Sequence, residues 1–369
     1  MKNKYIIIQN SLRTTRLFRS SYIKRLVELG VVYVVAPMDC QFSKEELEKI
    51  GVKLVFFPSC SGVFGYLLKF ILFNYNIVKF RFSGNCTFVC HFISTFILSY
   101  FSLVPFNRRV LVYVEGLGSL FSSNGKLQKV LKMMLTKNNI TRFYCNSSER
   151  RIVGKPTDIV TNGIGIELDR FIPELKLENT NSFRLCFIGR LIKDKGVLDA
   201  IEVFRRVAKV KKNVTMTLIG DIYTDNPSSL TESQVQLLKD EFHEAIEFIP
   251  FQNDIVSYYK NIDLLLLPSV MEGFPVCVME ASAMGIPSVG YKVPGVEDAI
   301  EDGINGRLAK PFNISELTKV TISLLSVQEL SKFRGSSIEY ANGHFSRCKR
   351  DDLVLDTLHK LCIRRETNY

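Results

Sequence analysis

RLCFIGRLIKDKGVLDAIEVFRRVAKV, residues 184–210, reads as a short strand, a cationic turn closed by Gly196 and an amphipathic helix. A strand that feeds a helix in this way is half of a βα unit, and the pattern recurs on both sides of it. Downstream, VTMTLIG, IEFIP, IDLLLLP and IPSVG are further apolar strands between helical stretches. Upstream lies a polar, proline-containing linker, FIPELKLENTNS (171–182). Before it, YIIIQ (5–9), VVYVVAP (31–37), KLVFFP (53–58), IVKFRF (77–82), RVLVYV (109–114) and RFYCN (142–146) read as strands. Helices are expected over 16–29, near 87–101 and near 126–137. The fold class is therefore α/β: two Rossmann-like βα domains, each a parallel sheet covered by helices on both faces, facing across a cleft. The expected divisions are 1–170, 171–350 and a C-terminal stretch, 351–369, whose helix at roughly 350–362 crosses back to brace the first domain. Loops beyond the carboxyl ends of the strands are where ligands of such sheets bind.

A chain of 369 residues exceeds one comfortable core, which agrees with two domains. The nine cysteines have no close pairing beyond Cys86 and Cys90, so reduced, mostly buried thiols are expected, with no zinc pattern and no disulfide framework. His91, His243, His344 and His359 lack metal-ligand spacing. The apolar run in MKNKYIIIQN is too brief for a signal-peptide core, and a cytoplasmic location is expected. Residues 1–170 carry 24 Lys and Arg against 10 Asp and Glu, whereas 171–369 carry 24 against 27. The basic half suits nucleic acid, an anionic substrate or an acidic membrane surface. Its cations are interleaved with Phe, Ile, Leu and Tyr, and no nucleic-acid module is present, so a membrane surface or a lipid diphosphate is the expected partner and nucleic acid is not. TFVCHFISTFILSYFSLVP (87–105) approaches bilayer-spanning length. Its His91, Ser and Thr residues and its terminal Pro105 favour a buried helix followed by a turn, with a helix in the membrane interface as the alternative.

Two loops carry the chemistry. Arg190 and Lys195 bracket the turn ahead of a helix N-terminus, an arrangement that suits a diphosphate; two solvated surface cations are the plain alternative. In EGFPVCVME (272–280), Gly273 supplies a turn, Pro275 suits the first helical position and Gly285 the residue after the end, so the helix is expected over 275–284. Glu272 then lies in the loop and Glu280 in the helix. Carboxylate acceptors beside helix N–H donors suit the hydroxyls of a sugar or ribose. A turn residue and an exposed helix carboxylate are the alternative.

FIGRLIKDKGVLDAIEVF followed by SVMEGFPVCVMEASAMGIPSVGYKVPGVEDAIEDGINGRL resembles glycosyltransferase family 4, the retaining, nucleotide-sugar-dependent enzymes of the GT-B fold. The resemblance is close over 184–311 and loose in the first domain. The family's hallmark is a pair of glutamates separated by seven residues, which Glu272 and Glu280 satisfy. It implies that Arg190 and Lys195 neutralise the donor diphosphate and that Glu280 binds ribose. It also implies that Glu272, Gly273 and Phe274, with Pro275, surround the donor sugar. TNGIG (161–165) is similar to the family's loop before the second domain, which places Asn162 and Gly163 on the donor side; a plain turn is the alternative. The resemblance further implies retention of anomeric configuration, no cofactor beyond the nucleotide diphosphate sugar itself and no required metal. Where many members have His at the end of the strand before the helix near 120, this chain has Glu115, in YVEGLGSLF. Glu115 accepts a proton from the acceptor, orients it, or is merely paired with a nearby Arg. GLGSLF also half-matches a dinucleotide fingerprint, with Phe121 where the third glycine would stand. The GLG piece, with Gly116, and NSLRTTRLFRSSYIKRLVELG resemble the subgroup that builds bacterial O-antigen, capsule and lipid-linked oligosaccharides. Asn10, Arg13, Arg16 and Arg19 lie where an acceptor would enter, or else on a solvated or lipid-facing helix. The implied function is transfer of a hexose or N-acetylhexosamine to a polyprenyl-diphosphate-linked glycan at the inner face of the cytoplasmic membrane. A nucleotide-sugar epimerase of the same fold and a non-catalytic scaffold are the alternatives.

Overall fold

The computed structural model describes residues 3–58, 62–105, 107, 109–117, 124–174, 182–224 and 226–363. The chain divides into two compact units, one running to Ile164 and resumed from Arg347, the other Gly165–Ser346. The linker positions 175–181, Cys60, Arg108 and the Gly118–Phe121 end of the GLGSLF motif lie outside the described residues.

The first unit alternates strand and helix: β1 (Lys4–Ile8), α1 (Leu12–Leu29), β2 (Val31–Met38), α2 (Gln41–Lys49), β3 (Lys53–Pro58), α3 (Gly62–Arg81), β4 (Cys86–His91), α4 (Ile93–Leu103), β5 (Val110–Val114), α5 (Gly125–Leu135), β6 (Ile140–Tyr144), α6 (Ser147–Val153) and β7 (Ile159–Val160). The strands form a parallel sheet in the order β3-β2-β1-β4-β5-β6-β7. Successive strand residues point to opposite faces, so Ile6 and Ile8 join Phe73, Ile77 and Phe96 in one layer while Tyr5 and Ile7 join Tyr22, Ile23 and Leu26 in the other. Burial on both faces is why these strands are continuous apolar runs. The chain's last described helix, Arg347–Ile363, inserts Val354, Leu358 and Leu361 into the second of these layers.

The region 77–103 differs from expectation. IVKFRF is no strand: residues 77–81 are the last turn and a half of the 20-residue α3, whose inward face is set by Phe73 and Ile77, one helical turn apart. Nor is 87–101 one helix. CTFVCH is the central strand β4, the chain reverses at Phe92 (φ 67°), and only then does α4 begin. A short apolar run buried on both sides has no period-two alternation to separate it from a buried helix.

The second unit runs β8 (Phe183–Ile188), α7 (Val197–Val210), β9 (Val214–Ile219), α8 (Glu232–Phe242), β10 (Ile246–Ile249), α9 (Val256–Tyr259), β11 (Leu264–Leu267), α10 (Val276–Ala283), β12 (Ser288–Tyr291), α11 (Val296–Ala299), β13 (Gly306–Ala309), α12 (Ile314–Leu324) and α13 (Val327–His344). Its strands form a parallel sheet in the order β10-β9-β8-β11-β12-β13. Helix α7 earns its place by burying Val197, Ile201, Phe204 and Val207 on one side, and it packs on α12. In both units the strand order reverses beside the first strand, at β1/β4 and at β8/β11. Such switch points are where ligands of open α/β sheets bind.

Candidate active site

The switch point of the second unit lies between the loops that follow β8 and β11, and these loops are knitted together. Gly196 ends the first loop at φ 77°, a left-handed conformation that glycine adopts without steric cost. A Cβ there would stand 2.0 Å from the Pro268 carbonyl oxygen, so the close approach of the two loops requires glycine. The Val270 amide donates to the Asp194 carbonyl at 3.0 Å. Across this seam the Lys195 ammonium donates to Glu272 Oε2 at 2.6 Å, and Ser269 Oγ donates to Glu272 Oε1 at 2.7 Å. The Glu272 backbone is braced from the loop after β12: its amide donates to the Pro294 carbonyl at 3.1 Å, and a Cβ on Gly295 (φ 80°) would lie 2.1 Å from its carbonyl oxygen.

Proton and lone-pair accounting shows what this pair offers. A lysine ammonium has three donors and a carboxylate about four acceptor sites. With one donor of Lys195 on Glu272, and one acceptor site each taken by Lys195 and Ser269, both groups retain capacity for a ligand. Arg190, on the same loop, is exposed, with its guanidinium 5.3 Å from the Tyr223 ring centroid and no carboxylate at ion-pair distance among the described residues.

The helix after Glu272 begins one residue later than expected. Pro275 is the N-cap, with an extended backbone and no side-chain cap bond, and Gly273 and Phe274 form the turn before it. Glu280 lies in the helix, and Tyr259 donates to its Oε2 at 2.9 Å. Burial, then the carboxylates of Glu272 and Glu280, push the Cys277 thiol well up, so it stays neutral in their company. The structure therefore gathers Lys195 and Glu272 at one seam, with Arg190 on the same turn and Glu280 on the adjoining helix. Sequence reasoning missed Ser269, Tyr259 and Gly295. Only Gly295 carried a local signal, the Pro-Gly pair of KVPGVED ahead of a helix.

In the first unit, Glu115 follows β5 and is engaged from two sides. The Arg19 guanidinium pairs with Oε2, and His91 Nδ1 lies 3.1 Å from Oε1. Burial opposes ionisation of Glu115, yet Arg19 and His91 beside it hold its carboxyl below the ordinary range. A carboxylate so held is a poor proton acceptor. Arg19, buried at 4 % exposure, faces the core, whereas Arg13 on the same helix is exposed and Arg16 half-buried. The residues expected on the acceptor side are partly occupied too. Arg16 Nε donates to Ser43 Oγ at 3.1 Å and its guanidinium lies over Phe42. Asp39 accepts from the Leu12 amide at 2.8 Å and from the Arg13 amide at 3.4 Å, filling the N-terminus of α1. Asn10 is exposed, its Oδ1 3.4 Å from Thr14 Oγ1. Gly116 takes φ 86° with open space where a Cβ would be. Asn162 (φ 50°) and Gly163 (φ 79°) form a turn in this unit, with the Gly163 amide on the Cys145 carbonyl at 2.9 Å.

Glu115 is an acceptor only, so His91 Nδ1 carries the proton and Nε2 accepts from Tyr22 OH at 2.9 Å. Burial first, then the Arg19 charge, lower the His91 pKa to about 4 from an ordinary value near 6.5. The unfolded chain thus binds more protons than the folded one between these values, and stability falls as pH drops from ~6.5 toward 4. The melting temperature is expected to decline across pH 6.5 to 5, before most carboxylates titrate, and His91→Gln is expected to flatten that slope. An unchanged slope in the variant would assign it to other groups.

Residues 169–342 match the family model described as glycosyl transferases group 1. The matched span is a little under half of the chain. The group 1 segment covers all but the edges of the second unit, with Arg190, Lys195, Glu272 and Glu280 inside it. A capsular polysaccharide biosynthesis glycosyltransferase, CapM, of Staphylococcus aureus is 26% identical over 178 residues, 46% of each chain, so this chain spans under half of that relative's length. The N,N'-diacetylbacillosaminyl-diphospho-undecaprenol alpha-1,3-N-acetylgalactosaminyltransferase of Campylobacter jejuni is 26% identical over 342 residues, 85% of this chain and 87% of its own. The crystal structure of Anabaena HepE in complex with UDP-glucose superposes with a TM-score of 0.77 at 16% identity, covering 97% of this chain and 99% of that one. The fold is thus that of the GT-B glycosyltransferases, two parallel α/β domains.

Proposed function

We propose that this chain is a retaining glycosyltransferase. It moves a hexose or N-acetylhexosamine from a nucleoside diphosphate sugar to a glycan carried on polyprenyl diphosphate, at the inner face of the cytoplasmic membrane, in the synthesis of a surface polysaccharide. The observation that carries the reading is the 2.6 Å Lys195–Glu272 contact at the β8/β11 switch point. It sets a cation for a leaving diphosphate beside a carboxylate that can accept from sugar hydroxyls. In this reading Lys195 and exposed Arg190 stabilise the negative charge that grows on the departing diphosphate, the largest electrostatic demand of the reaction, without a metal ion. Glu272, with Gly273, Phe274 and Pro275, orients the donor sugar, and Glu280 holds ribose while Tyr259 fixes its rotamer. Asn162 and Gly163 border the donor; Asn10, Arg13, Arg16 and Gly116 serve the acceptor. Glu115, tied to Arg19 and His91, orients rather than deprotonates. The lipid-linked acceptor is supported by the diphospho-undecaprenol in the name of the Campylobacter relative, and the nucleotide by the UDP-glucose bound to HepE.

The test is a melting-temperature screen against nucleotide sugars followed by transfer assays. A donor at 100 times its Kd adds about 2.7 kcal/mol of stability, about 5–10 °C for units of this size. That donor is then supplied with polyprenyl-diphosphate-linked glycans and the anomeric configuration of the product is read by NMR. Inversion would overturn the retaining mechanism. Conversion of the donor with no acceptor present would make the protein an epimerase, and stabilisation without turnover would make it a scaffold.

A further inference from the structure

Helix α3 carries two apolar faces. One, with Phe73 and Ile77, is sealed against the sheet and α4. The other, on the opposite side, presents Phe64, Leu67, Ile71, Tyr75 and Val78, three or four residues apart, and Phe82 continues the line just past the helix. These side chains are left open to solvent, from 40 % for Val78 to 80 % for Phe82, and Phe101 of the neighbouring α4 is 67 % exposed. Contiguous exposed apolar side chains on this scale mark a docking surface rather than ordinary scatter. Among the described residues α3 is also the one helix long and apolar enough to cross a membrane by length and composition. It cannot be encircled by lipid, because its inner face is part of the protein core. It can lie in the plane of a bilayer with its outer face immersed.

Charge decides the occupant. From Lys49 to Val114 the chain contains seven Lys and Arg and no Asp or Glu. Lys69, Lys79 and Arg81 lie on α3 itself. Two copies of this face brought together would oppose cation to cation, whereas an anionic lipid surface complements it and attracts each basic residue near the headgroups. We propose that α3 is an in-plane anchor that docks the first unit on anionic phospholipid, with Phe64, Leu67, Ile71, Tyr75, Val78 and Phe82 below the headgroups and the basic residues among them. The membrane-contacting segment is thus 62–82; the stretch 87–105, for which a helix in the membrane interface was only the alternative to a buried one, is a strand and a helix that are largely buried. The proposal rests on the lipid-linked-acceptor reading only for the use to which docking is put.

The full chain is tested by flotation with vesicles of phosphatidylcholine alone and of phosphatidylcholine with phosphatidylglycerol, at low and high salt. Binding is expected to the anionic vesicles, weakening with salt, and to drop at least about tenfold in a Leu67→Glu/Ile71→Glu variant that keeps the parent's circular dichroism and melting temperature. If that variant does not fold, Ile71→Ser/Tyr75→Ser replaces it. No binding to anionic vesicles, or equal binding by parent and variant, overturns the proposal. So does a concentration-dependent dimer in sedimentation that the same substitutions abolish, which would make the face a contact between copies. Transfer to a water-soluble acceptor glycan is expected to be unchanged in the variant. Loss of vesicle binding with that transfer intact separates the anchor from the enzymatic reading, and intact vesicle binding with no transfer to any acceptor would overturn the enzymatic reading alone.

Discussion

Lys195→Ala and Arg190→Ala are each expected to lower transfer by about 10²–10³-fold, the usual loss when a group that stabilises developing negative charge is removed. The two substitutions differ in what they do to the folded protein. Lys195 holds Glu272 at 2.6 Å, and the Glu272 side chain is only 11 % exposed, so losing the ammonium leaves a largely enclosed carboxylate with Ser269 as its remaining described partner. A cost on the order of 1 kcal/mol follows. Arg190 is exposed, its guanidinium lies over the Tyr223 ring and it has no ion pair among the described residues, so its removal is expected to leave the melting temperature within error. Initial-rate measurements of kcat/KM beside thermal melts check both statements. Turnover within a factor of a few of the parent in both variants would remove the leaving-group argument.

Gly196→Ala is expected to damage stability and transfer together. The residue sits at φ 77°, which costs a side-chain-bearing residue about 1–2 kcal/mol, and its new methyl would collide with the backbone of Pro268, which cannot rotate away. Overpacking of that kind adds about 1–3 kcal/mol, for a total of about 2–5 kcal/mol. Parting the two loops also separates Lys195 from Glu272, so transfer should fall even at temperatures where the variant is folded. Gly303→Ala is the control. Its φ of 86° is just as unfavourable, but nothing lies within 4 Å of the new methyl, so only the backbone cost is expected. Equal destabilisation by the two in chemical denaturation would show that the Pro268 contact is not what fixes Gly196.

The α/β class and most strands were legible because doubly buried strands alternate with amphipathic helices such as 197–210, and each signal is local. The misreading at 77–103 shows the limit. IVKFRF has strand composition, yet it ends a helix whose inward residues begin much earlier in the chain, and CTFVCH becomes a strand because β1 and β5 pair with it on either side. Neither neighbour is near in sequence.

The candidate site divides along the same line. Glu272 in a glycine turn, Glu280 in the following helix, and Arg190 and Lys195 around a turn closed by Gly196 follow from local backbone chemistry, so 184–210 and 272–285 were enough to name them. Which partners they take was a matter of folding alone: Lys195 meets Glu272 across 77 residues, Tyr259 meets Glu280 across 21, and Arg19 meets Glu115 across 96. Turn and helix signals arise within a few residues and survive in one dimension. Pairing of charges, burial of Arg19 and exposure of the α3 stripe depend on which strands become neighbours in a sheet, and that is decided only when the whole of each unit packs.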